Sequence, residues 1–373
     1  MKDWVERKLD ELDILFPQER MLKSKNRIRA MWQHEQRMDR YPFTYSYATF
    51  NPYNAQHEAE ERLRFSLDEF IIHGNMRDDF IPAFFPGCRH STIPSMFGAR
   101  EKVMGDETSC ERLIWNPEDI DHLPEPSIQP GSPAARWLAM QRYFLEETDG
   151  RLPVHVIDMQ GPFDVCAQMM SYDSLFLMAY EDPERLRSFL SKVAEAFVLL
   201  WKTQKALLGD LFVGTHLFAQ NWVPEDFGAT LSADSLVMFG PDFYNEFVKP
   251  IIEMLADRLG TLTVHSCGNF AHNVRALCKT RGVCGINASQ MSIATLFEAG
   301  ADRETVIISM IPYQEAADSF AQIKRHGLHV DTSIDGMPWP MNGSSVKPIE
   351  AWTNSDWKSL RLYEEKILKS VEI

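Results

Sequence analysis

The 373-residue chain lacks a basic patch: 38 Lys and Arg face 53 Asp and Glu, the formal charge is -15, and no segment gathers its cations. Nucleic acids and anionic membrane surfaces bind through such clusters, so neither is an expected partner. No run approaches the ~20 apolar residues of a membrane span, and the opening MKDWVERKLDELDILF is charged throughout, unlike a signal peptide. A cytoplasmic location is expected. The six cysteines (Cys88, Cys110, Cys166, Cys267, Cys278, Cys284) are scattered, with no disulfide-like framework, which fits a reducing compartment and free thiols. Internal repeats, low-complexity tracts and Gly/Ser linkers are also missing, which favours one compact unit.

What is present divides into two styles of text. Residues 1–70 carry helical periodicity, as in WVERKLDELDILF and ERMLKSKNRIRAMWQHE, around an aromatic stretch, YPFTYSYATFNPY. They read as a helical cap packed on the rest of the chain. From residue 71 to 373, short β-rich runs alternate with helical ones: LPVHVIDMQGPFD, then EDPERL with Asp182 as N-cap and Pro183 at the first helical position, then LFVGTHLFAQNW, then a helix in which Pro250 predicts a kink. TLTVHSC, GVCGINAS, TVIISMI and LHVDTSI are further strands with helices between them. Alternation of this kind means a parallel α/β sheet. GxGxxG is absent, which disfavours a doubly wound dinucleotide fold, so the expected architecture is a (β/α)8 TIM barrel.

A barrel places its chemistry at the C-terminal ends of its strands, and those ends collect Asp158, Gln160, Asn221, Trp222, His265, Cys267, Asn287, Gln290 and Asp331. The densest stretch is TLTVHSCGN. Residues i and i+2 of a strand share a face, so His265 and Cys267 point the same way and are candidates to hold one metal ion. The blander alternative is a buried thiol beside a pocket histidine. Asp158 and Asp234 are candidates for proton movement, and Gln160, Asn221, Trp222, Ser235, Asn287 and Gln290 for contacts with a small-molecule substrate. Asp158 before Gln-Gly-Pro-Phe, and Asp234 and Ser235 before a helix, also suit the simple ordering of turns. Cys88 and His90 repeat the spacing inside a Pro/Gly loop, and Arg27, Arg29, Arg89 and Arg100 are candidates to bring positive charge to the mouth, with surface ion pairs as the alternative.

Residues Leu231 to Gln290 (LSADSLVMFGPDFYNEFVKPIIEML, VHSCGN, GVCGINASQ), with PVHVIDMQGPFDVCAQM and EDPERLRSFL, resemble the uroporphyrinogen decarboxylase superfamily, in particular its cobamide-dependent and zinc-dependent methyltransferases. The resemblance implies a (β/α)8 barrel. It also implies either cofactor-free decarboxylation of a porphyrinogen or transfer of a methyl or alkyl group to a zinc-activated thiol, with a corrinoid carrier, on a partner protein, as methyl donor or acceptor. The decarboxylases' N-terminal MRQAGR-type segment has no counterpart in this chain, so the methyltransferase is the first expectation. His265 and Cys267 match the family's His-x-Cys zinc ligands. Its third ligand, a Cys near the last strand, is missing, since no cysteine follows Cys284; Asp331, Asp335, His329 and Cys284 are the replacements to consider. A metal-free lyase and a non-catalytic barrel binding a small molecule or a corrinoid protein stay open, and a homodimer is the default assembly.

Overall fold

In the computed structural model, residues 1–35, 38–46, 58–87, 90–104, 107–215, 222–288, 290–335 and 353–372 are described. Ten strands occur among them: β1 (Phe43–Tyr45), β2 (Glu101–Met104), β3 (Glu107–Cys110), β4 (Val154–His155), β5 (Phe212–Val213), β6 (Ala229–Ser232), β7 (Leu262–His265), β8 (Val283–Asn287), β9 (Val306–Pro312) and β10 (Val330–Asp335). Six of them form a parallel sheet in the order β1-β10-β9-β8-β7-β6. Backbone hydrogen bonds carry the ring past both edges. Ser232 N–H donates to Met159 O and Gly161 N–H to Ser232 O, joining β6 to the chain that continues from β4, and His155 N–H donates to Phe84 O. Asp79 N–H, five residues before Phe84, donates to Phe43 O and so returns to β1. The sheet therefore curls into a TIM-type barrel. β2 and β3 form a separate antiparallel hairpin, and β5 pairs with β4.

The helices form where apolar residues recur at helical spacing. α1 (Asp3–Leu15), α2 (Gln18–Trp32), α3 (Ala59–Gly74), α4 (Pro133–Glu147), α5 (Pro162–Met169), α6 (Tyr172–Glu181) and α7 (Pro183–Leu208) come first. In α7 the Asp182 carboxylate accepts from Arg185 N–H, Pro183 sits in the first turn, and Leu186, Phe189, Leu190, Val193 and Phe197 are buried, as the sequence predicts. Each such side chain contributes about 1.5–3 kcal/mol relative to an exposed one. At Pro250 the structure shows how the interruption is absorbed: a π-helical turn, Tyr244–Val248, precedes the helix Lys249–Leu259. Proline has no N–H to continue the ladder, and a wider turn accommodates the missing bond.

Strand alternation separates two faces. Ile307, Ile311, Val264 and Ile286 join the core under the outer helices, whereas Val306, Ile308, Ile81 and Ala83 join an inner cluster with Ile28, Met31 and Trp32 of α2. Trp32 reaches β8 so closely that a Cβ on Gly285 would lie 2.9 Å from its ring, and it packs on Phe227, just before β6. α2 thus closes the barrel at the N-terminal ends of the strands. It is pinned by a buried ion cluster: Arg27 pairs with Asp79 and, at 2.6 Å, with Asp39, and Arg40 reaches Asp79 at 2.7 Å. The stretch expected to be a helical cap therefore also supplies β1 to the sheet.

Candidate metal centre

β7 ends at His265 and the chain turns at Gly268, whose φ of +73° suits glycine; its N–H donates to Gln290 Oε1 at 2.6 Å. β6 ends at Ser232, and Asp234 begins the next turn. These two ends meet. Cys267 Sγ lies 3.4 Å from His265 Nε2, Asp234 Oδ1 lies 3.6 Å from the same nitrogen, and Asp234 Oδ1 accepts Cys267 N–H at 2.8 Å. One ligand atom from each of Asp234, His265 and Cys267 falls within 4.8 Å of the other two.

The histidine's proton follows from its neighbour on β8. Asn287 Nδ2 donates to Ile308 O at 3.3 Å, which turns the amide oxygen toward His265 Nδ1. That oxygen only accepts, so Nδ1 carries a hydrogen, and Nε2 is the nitrogen that faces Cys267 and Asp234. A metal-ligating histidine is commonly held this way. The Cys267 thiol is pushed up to about 12 by burial, then by the charge of Asp234 and a hydrogen bond with it, and also by the charge of Asp158. The protein alone thus keeps this sulfur protonated, and a cation would reverse that. Carboxylate, imidazole and thiol together form a donor set that suits zinc, and three protein ligands leave a fourth position for substrate. The residues fit the ion.

Around the cluster, Asp158 accepts from Ser232 Oγ at 2.7 Å, and Gln160 makes a parallel backbone bridge to Ser232. Ser235, expected to contact substrate, turns away: its N–H and Oγ donate to the two oxygens of Asp164 at 2.9 and 3.1 Å. Asp164 was not singled out by sequence, although it is the one charge in the apolar helix PFDVCAQM. Burial, followed by the charge of Asp234, pushes it up to about 7.

Other expected positions lie elsewhere. Trp222 joins the inner cluster with Ile28 and Val213, where Lys25 and Arg29 stand over its ring at 5.3 and 5.9 Å, so it faces α2 and not His265. Asp331 lies on that same side, grouped with Ile28, Ile81 and Trp222. His329 precedes β10 and meets the His34 ring edge-on at 4.5 Å, and Cys284, near the start of β8, contacts Leu262 O at 3.4 Å. These three are therefore not with the cluster; the residue that stands beside His265 and Cys267 is Asp234. Asp335 ends β10, and its side chain is outside the described residues, as are Asn221, Cys88 and Arg89. Arg27 is committed to Asp39 and Asp79, and Arg100 pairs with Glu111 at 2.7 Å on the surface.

A parallel barrel with polar and ligating side chains at the C-terminal strand ends has the layout of a TIM-barrel enzyme. Comparison with known proteins adds to this: residues 91–209 match the uroporphyrinogen decarboxylase (URO-D) family. Among solved structures, a methyltransferase from Methanosarcina mazei is similar with a TM-score of 0.63 at 14% identity, over 92% of this chain and 99% of that one, a likeness of fold. No curated protein matches the chain. Among the described residues no helix is long and apolar enough to cross a membrane.

Proposed function

We propose that the protein is a methyltransferase of the URO-D superfamily that moves a methyl or alkyl group to or from a thiol or a corrinoid carrier, with zinc held by Asp234, His265 and Cys267. The observation that carries this reading is the convergence of a carboxylate oxygen, an imidazole nitrogen and a thiol within 4.8 Å at the barrel's C-terminal face. A bound zinc ion lowers the pKa of a thiol that joins it, which is what makes a thiol nucleophilic at neutral pH. The chain's own residues do the rest. Asn287 keeps the His265 proton on Nδ1, Asp234 orients the Cys267 backbone, and Asp158, held by Ser232, places a carboxylate close enough for its charge to bear on Cys267. The methyl donor is a corrinoid on a partner protein or a small methylated molecule.

The URO-D match also keeps a metal-free decarboxylase in view. That reaction would want arginines at the mouth for substrate carboxylates, and Arg27, Arg29 and Arg100 are engaged elsewhere. Elemental analysis of protein purified without chelator separates the two. Near-stoichiometric zinc in the wild type, lost in Asp234→Ala, His265→Ala and Cys267→Ser, is the expected result; a wild type that neither carries nor takes up zinc refutes the proposal.

A further inference from the structure

Asp234 has a half-buried side chain, 38% accessible, on a turn of only four residues, yet it meets the other two candidate ligating atoms at short range. Two anchors explain how the turn is set. On one side Ala233 N–H donates to His265 O at 2.7 Å, extending the β6–β7 ladder by one residue. On the other, Ser235 gives both its N–H and its hydroxyl to Asp164. Residue 234 hangs between two fixed neighbours.

Asp164 is itself held. It lies in the first turn of α5, is 2% exposed, and accepts the Tyr172 hydroxyl of α6 at 3.3 Å. Burying a carboxylate beside the charge of Asp234 is unfavourable, so a purely structural requirement would be met at lower cost by a neutral acceptor. The hydrogen bonds instead trace one line: Tyr172 to Asp164, Asp164 to Ser235, and from there one residue along the chain to Asp234.

We infer that Asp164 is a positioning residue for the metal centre, fixing through Ser235 the turn that delivers Asp234 as the third ligand. This rests on the zinc reading above. Groups that orient metal ligands change affinity by about 10- to 100-fold when removed.

The test measures zinc affinity by competition with a chromophoric chelator, and the absorption spectrum with cobalt(II) as a stand-in, for wild type, Asp164→Ala, Asp164→Asn, Ser235→Ala and Asp234→Ala. Asp164→Ala should bind zinc about 10- to 100-fold more weakly. Its cobalt spectrum should keep the thiolate charge-transfer band of Cys267 while the ligand-field bands shift from those of the wild type. Asp164→Asn, which keeps an acceptor for Ser235 N–H, should recover part of the affinity, and Ser235→Ala should lose less than Asp164→Ala. If Asp164→Ala does not fold, the asparagine and serine variants decide. Wild-type affinity and spectrum in both of those overturn the inference while leaving the zinc site standing; no metal on the wild type overturns the site and the inference together.

Discussion

Replacing Asn287 with leucine isolates one hydrogen bond in the metal centre. The side chain is nearly the same size, so the pocket stays filled, but His265 loses the oxygen that holds its proton on Nδ1. The ring is then free to rotate and to carry its hydrogen on Nε2, the nitrogen that faces Cys267 and Asp234. The backbone loses little: Ile308 O, which accepted from Asn287, still accepts Ala288 N–H at 2.9 Å. A net hydrogen bond contributes about 1 kcal/mol, and the freed ring adds to that, so zinc affinity should fall about 10- to 100-fold, or roughly 1.4–2.7 kcal/mol. Asn287→Asp, which keeps an acceptor and adds charge, should bind at least as tightly as wild type. Chelator competition at fixed pH reads both, with unfolding midpoints as the control for folding. A folded leucine variant with wild-type affinity would refute the assignment of the histidine's proton to Asn287.

Asp79→Ala leaves Arg27 and Arg40 buried without their shared carboxylate and should destabilise by about 3–5 kcal/mol in denaturant unfolding, far more than loss of a surface pair such as Arg100–Glu111. Gly285→Ala drives a methyl against Trp32 and Thr263 Oγ1, both at 2.9 Å, and should cost about 1–3 kcal/mol in the same assay. His329 is pushed down to about 4 by burial, then by the charges of His34 and Arg303. Its folded-state pKa lies below the unfolded value, so it contributes stability that is complete above about pH 6.5 and lost as pH falls toward 4. His329→Gln should flatten stability over that window, and an unchanged pH profile would refute the burial of a neutral His329 as the source of that dependence.

Where the sequence was legible, a short-range rule was at work. His265 and Cys267 are two apart at the end of a strand, and Asn287 ends the next one, so alternation alone aims all three into the barrel. Asp234 was legible as a residue of interest but not as a neighbour of His265 and Cys267. It lies 33 residues before Cys267, after β6, a strand of four residues in which ATLS gives too little alternation to read. Trp222 misled because it follows a strand-like run in which the strand among the described residues, Phe212–Val213, is only two residues long; its ring joins the α2 cluster instead. β1 was not legible as a strand for a related reason: FTY is three residues, and only its pairing with β10 defines it.

Trp32 under Gly285 turns the barrel into a blind well. With Met31 and Ile28 beside it, the tryptophan fills the interior on the α2 side. Traffic to His265 and Cys267 then has one direction in and the same direction out. If the protein transfers a methyl group as proposed, donor and acceptor cannot approach from opposite ends of the well; they sit side by side above the cluster or take turns there. A bulky carrier that delivers the group would have to withdraw, or share the opening, before the other partner could enter.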